Sequence, residues 1–220
     1  MPNHCAVRQN EAVKVEVKTP NGSEMTASAA TTFVGSALRI APDFIATTMD
    51  ESESIRTEIS VSYSSDAGRY VVRRLSHAAL SDSVELNYKT AAKVGIQPMV
   101  QAAAPHCIFL TLGAESEPTA AWLSVAELTT AHGRILPSAI AAEVVRRGSS
   151  EARMDAIEIL YGSAALGGLA PAKLIQAELG IPHRTASAWI IAARQAGRLK
   201  GMNFNAARPA SDVGSTARMS

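Results

Sequence analysis

The side chains best placed to do chemistry lie in residues 171–198, PAKLIQAELGIPHRTASAWIIAARQAGR, and their chemistry is contact with nucleic acid. Pro171 suits the first position of a helix, where its missing N–H would be unpaired anyway. A short helix then runs to Leu179, and Gly180 supplies a residue that takes positive φ at no steric cost. Ile181 turns inward and Pro182 opens a second helix. In that helix Ala186, Trp189, Ile190 and Ala193 recur at spacings of three and four and form one apolar stripe. His183, Arg184, Ser187, Ala188, Ile191 and Arg194 fall on the other side. Two helices joined by a tight turn, the second one basic, have the layout of a helix-turn-helix. The end of the second helix fits a major groove about 12 Å wide, and its free N–H groups favour phosphate oxygens. On this reading His183, Arg184, Ser187 and Ala188 face base edges, with Arg184 suited to a bidentate contact to guanine. Lys173, Thr185, Arg194, Arg198 and Lys200 face phosphate. Ala177 and Ala186 are expected at the helix crossing, where small side chains permit close approach.

The run LIQAELGIPHRTASAWIIAARQAGRL resembles the helix-turn-helix of bacterial DNA-binding regulators. It is most similar to that of small actinobacterial proteins ending in a pattern of the type LGVxRSTAxRWIxxARxxGLL. The resemblance covers residues 153–201 and implies sequence-specific binding of double-stranded DNA by a transcriptional regulator. Gln176 stands where such motifs usually carry a small Ala, and Ala188 where many carry an Arg that reaches DNA. Two other roles fit the same residues: a recombination or replication accessory protein that binds DNA, and a helix-turn-helix scaffold for protein–protein contact.

Charge is distributed in keeping with a DNA contact. The whole chain carries 21 Lys and Arg against 20 Asp and Glu. From residue 171 onward there are seven basic and two acidic residues, so an acidic body carries a basic end. With so few cations one module binds non-specific DNA weakly, and a homodimer that links two half-sites is the expected way to gain affinity.

Other chemistries find little support. His4, His77, His106, His132 and His183 lack the i, i+4 pairing or cysteine companions of a metal site. No glycine-rich phosphate loop is present, and the DESE cluster at Asp50 to Glu53 reads as a solvated loop. The expectation is therefore no catalytic residue, no metal, no cofactor and no enzyme activity. Without a run of eighteen apolar residues or an apolar leader near the start, the expected location is cytoplasmic, with no membrane partner. Cys5 and Cys107 are expected to be free thiols.

The elements that must position the basic end point to an α+β fold. An N-terminal domain with a β-hairpin or small antiparallel sheet plus helices is followed by a C-terminal three-helix helix-turn-helix domain. Residues 1–30 read as a flexible arm, 31–148 as the α+β domain, 150–201 as the DNA-binding domain and 202–220 as a disordered tail. The role of the 31–148 domain stays open between dimerisation, ligand sensing and partner binding. Ile59, Val61 and Tyr63 alternate with Glu58, Ser60 and Ser62, and Ser65-Asp66-Ala67-Gly68 forms a turn, so a hairpin is expected over 57–75. Residues 84–88 offer a third strand. Short helices are expected at 89–94 and 98–104, the latter stopped by Pro105. The apolar run 107–112 reads as strand or buried helix. Further helices are expected from 117 or 118 to 130 and over 137–147. Gly148-Ser149-Ser150 reads as a linker, and Gly167-Gly168 ends the helix that begins near Glu151.

Overall fold

Alternating small and apolar residues in the first half of the chain build two antiparallel sheets, and the helices of the second half pack on them. The structure is a computed structural model that describes residues 14–50, 52, 54–87, 95–111, 121–147 and 150–204. The fold is α+β, with four strands in each sheet and six α-helices among the described residues.

The first sheet has the order β1-β4-β5-β6, from β1 (Glu16–Lys18), β4 (Asp43–Asp50), β5 (Ile55–Ser64) and β6 (Arg69–Ala79). The expected hairpin is present as β5 and β6, longer at both ends than the alternation of 58–63 implied. Its register slips between Ser60 and Val61, which leaves Arg73 as the extra residue of a bulge on β6. The third strand is β4 rather than 84–88. A turn held by a 2.6 Å bond between the Ser81 and Ser83 hydroxyls diverts the chain, and 84–87 forms no strand, with Leu86 exposed. Tyr88 and the helix expected at 89–94 lie outside the described residues. The arm expected through residue 30 is also partly structured: Glu16–Lys18 pairs with Ile45–Thr47, and Ala30 is fully buried. Residues 1–13 lie outside the described residues.

The second sheet, ordered β2-β3-β7-β8, consists of β2 (Thr32–Val34), β3 (Leu38–Ile40), β7 (Ile108–Leu110) and β8 (Leu123–Ser124). Helix α1 (Ile96–Cys107) leads directly into β7, so the apolar run after Cys107 is a strand. Pro105 does not stop this helix. It sits in the last turn, where one missing N–H and a slight distortion are tolerated just before the chain turns into β7. Of the helix expected from 117 or 118, residues 117–120 lie outside the described residues, and the described part begins at Val125, as α2 (Val125–His132). Residues 123 and 124 pair instead with Leu110 and Phe109, and Ser124 caps the helix. Its hydroxyl accepts from Glu127 N–H at 3.1 Å and its own N–H donates to Glu127 Oε2 at 2.6 Å, a reciprocal capping box.

Helices α3 (Ser138–Arg147) and α4 (Ser150–Gly167) follow. Every residue from 156 to 167 of α4 is buried, and α4 packs against α1, α3, β6 and the two helices after it. A helix apolar on all sides belongs in the middle of a fold. One hydrophobic cluster accordingly joins Phe44 and Ile59 of the first sheet, Leu38 and Leu110 of the second, Leu160 of α4, and Ile175 and Ala186 beyond it. The cluster spans both units expected on either side of 148–150. Gly148 and Ser149 themselves lie outside the described residues. Buried Tyr70 fastens the two sheets: its hydroxyl donates to Ala41 O at 2.8 Å, with Cys107 O at 3.3 Å, and its ring meets Phe44 edge to face at 5.0 Å.

Two groups make stability depend on acidity. Burial favours neutral His106 and lowers its pKa below the ordinary 6.5, with the Glu127 charge a smaller opposing effect. The Ser124 N–H and hydroxyl hold Glu127 below the ordinary 4.5. Both folded values are depressed, so stability falls on acidification: first as pH drops below His106's ordinary value, then as it drops through Glu127's folded value. Thermal unfolding followed from pH 8 to pH 3 should show both losses, with His106→Gln removing the upper one and Glu127→Gln the lower.

Candidate nucleic-acid interface

The last two helices are α5 (Pro171–Leu179) and α6 (His183–Gln195), with Pro171 at the start of α5 as its fixed φ favours. Gly180 ends α5 in the left-handed region at φ +64°, which lets the chain reverse at once. Pro182, extended at φ −60° and ψ 146°, then precedes α6, and no side chain caps the first N–H groups of that helix. With α4, these two helices form a mutually packed three-helix unit.

Buried Ala186 and Ala193 face inward from α6, and Trp189 and Ile190 are half-buried beside them. The Arg153 guanidinium of α4 lies 4.4 Å from the Trp189 ring centroid and covers that side of the indole. Ala186 is at the crossing as expected, but Ala177 is not: it is exposed, and the buried residue next to it is Glu178. The reason is polar. Glu178 Oε1 and Oε2 accept from the N–H groups of Ile135 and Leu136 at 3.0 and 3.2 Å, and Arg134 donates to the Glu178 carbonyl while its Nε lies 3.6 Å from the carboxylate. The loop between α2 and α3 is thereby tied to α5.

The expected contact residues divide into two groups. His183, Arg184 and Ala188 are exposed along the outer face of α6, with Thr185 and Ser187 half-buried beside them. Lys173 and Lys200 are also exposed. Arg194, although exposed, and half-buried Arg198 are both engaged by the body. Arg194 donates to the Tyr161 hydroxyl at 2.8 Å. Arg198 lies 3.1 Å from Asp155 Oδ1 and 3.5 Å from Glu158 Oε2. Glu158 is fully buried, and its Oε1 accepts from the N–H of Ser36 and, at 2.8 Å, from the Ser36 hydroxyl. Gly35, at φ +68°, is required here twice over, by its conformation and because a Cβ would collide with Glu158 Oε1 and Met202 Cε. Met202, expected in a disordered tail, is buried, and the chain after it is anchored by Asn203 N–H to Gly68 O at 3.4 Å. Residues 205–220 lie outside the described residues.

Two residues add to the outer face: Ile191, which helical spacing placed there without a contact role, and Arg146, which sequence reasoning did not assign to it. Ile191 is 57% exposed, one turn beyond Ser187 and Ala188. Arg146 of α3 lines a hollow that also contains Ala177 and Gly180, and Lys173 lines the adjoining hollow formed by Gln176, Gly180 and Pro182. Two cations therefore flank the turn. The packing of α3 on α5 brings Arg146 there, a tertiary contact that no local signal in the sequence shows.

Among the described residues no group of three or more His, Cys, Asp and Glu could hold a metal, and no helix is long and apolar enough to cross a membrane. Cys107 is buried and burial raises its pKa, which keeps it a neutral thiol rather than a nucleophile. Searches against protein-family models, curated proteins and solved structures give no match to the chain.

The Glu178 contacts set how α5 sits on the body. Glu178→Ala leaves two buried N–H groups without their acceptor and Arg134 without its carboxylate, while the backbone carbonyl that Arg134 also donates to remains, and should lower unfolding stability by about 2–4 kcal/mol in urea titration. Ala177→Ser, on the exposed neighbour, should change it by less than about 0.5 kcal/mol.

Proposed function

We propose that this chain is a sequence-reading double-stranded DNA-binding protein, acting as a transcriptional regulator, with α6 as its recognition helix. The observation that carries this reading is the exposed N-terminal half of α6, presenting Arg184 with uncapped N–H groups behind it and unpaired Lys173 and Arg146 at its flanks. The division of labour follows from side-chain chemistry. Arg184 offers two parallel donors to guanine O6 and N7, and His183 and Ser187 reach neighbouring base edges. Ala188 and Ile191 present methyl groups suited to contact with a thymine methyl. Lys173, Arg146, Lys200, Thr185 and the first N–H groups of α6 serve phosphates and fix the register. Arg198 holds the segment after α6 on the body, so it is assigned to positioning, while exposed Arg194, with one nitrogen on the Tyr161 hydroxyl, keeps donors for phosphate. A second copy of the chain would supply a second half-site and with it the affinity that one small cationic face lacks.

In vitro selection from random duplexes with the full chain tests the reading directly, and an enriched motif is the expected result. Arg184→Ala should weaken binding to that motif by about 1–3 kcal/mol and relax preference at one base position. No enrichment and no salt-sensitive retention of duplex DNA would overturn the proposal. Mapping bound sites in the genome then separates promoters from the origins or element ends that an accessory factor would occupy.

The flanking cations have a different signature. Lys173→Gln and Arg146→Gln should each make the slope of log Kobs against log salt shallower by about 0.9, with the selected motif unchanged.

A further inference from the structure

A cavity of about 400 Å³ lies away from the α6 face, where the β2–β3 turn, the segment entering β8, α3 and α4 meet. Its volume falls within the range of small-molecule sites, roughly 300–1,000 Å³. Leu136, Ile140, Val144 and Ile159 give it apolar walls, and the Trp122 indole closes one side. Ser36 and Asp155 stand at its polar end. Among the described lining residues the charged groups are Glu143 and Asp155, and no Lys, Arg or His is present.

We infer that this cavity binds a small organic molecule with an apolar body and a protonated amine, with the ammonium at Asp155 and the body between α3 and α4. An ammonium gains a charge-assisted hydrogen bond at Asp155, whereas an anionic ligand finds no cation among the described lining residues. Asp155 is well placed for this because its side chain is 49% exposed while only Oδ1 engages Arg198, at 3.1 Å. The site is therefore coupled to the basic end of the chain. An ammonium competing for Asp155 leaves Arg198 with Glu158 and Ser36 as its remaining described partners, so occupancy of the cavity alters how the segment after α6 is held.

The test follows the Trp122 indole N–H in NMR spectra of the full chain, assigned with Trp122→Phe, during titration with phenethylamine, 2-phenylethanol and 3-phenylpropionate. The expected result is a saturable shift with the amine bound roughly tenfold more tightly than either analogue, and loss of that advantage in Asp155→Asn. Absence of any saturable shift, equal or tighter binding of the alcohol or the acid, or an unchanged preference in a folded Asp155→Asn protein would each overturn the inference. Should Asp155→Asn not fold, the ranking of the three probes on the unaltered chain decides it. Neither the titration nor its reading depends on DNA binding.

Discussion

The fold depends on one helix having no face toward water. From residue 156 to 167 α4 exposes nothing, so sheet, helices and loops have to close around it on every side. That constraint explains why the three-helix unit and the sheets share a single hydrophobic cluster. The same helix that supports α6 from behind packs on β6, so the exposed face of α6 rests on the whole core. Precision of this kind suits base reading, because a side chain displaced by an ångström no longer reaches both acceptors of a guanine.

Apolar packing alone would allow α4 and α5 to slide along their neighbours, and two buried carboxylates prevent it. Glu158 accepts from the β2–β3 turn and Glu178 from the loop before α3. Each fixes a register between elements far apart in sequence, because moving it by one turn would leave a buried charge and buried N–H groups unpaired. Arginines complete both arrangements: Arg198 beside Glu158 and Arg134 beside Glu178. Both cations are thereby engaged within the fold, with 29% and 31% of their side-chain surface left exposed.

How much of this was legible in the sequence varies with the range of the forces involved. Local signals served well. The Leu179-Gly180 stop, the Pro182 entry, the alternation over 58–63 and the end of a helix at Gly167-Gly168 all rest on backbone preference or short periodicity, and all are present. The α+β class followed from them. Tertiary choices were not legible. Pro105 reads as a helix stop, yet the helix runs two residues further to meet β7. Ser124 and Glu127 fit a capping box, but the pairing of 123 and 124 with β7 is what moves the helix start there. For the candidate interface, the exposed face of α6 came from helical periodicity. The contacts that Arg194 and Arg198 make with the body did not, since Tyr161, Asp155, Glu158 and Ser36 come near only after folding.

The bulge in the hairpin bears on how copies of this chain can associate. Among the described strands β6 is the outer member of its sheet, eleven residues long, and an edge of that length invites a neighbouring chain to add a strand. The extra residue at Arg73 breaks the regular spacing of its free N–H and C=O groups, and exposed Arg73 and Arg74 place like charges opposite each other in any symmetric approach. The strand is thus guarded against continuous sheet growth. A homodimer of this protein would therefore not form by continuing the sheet at β6.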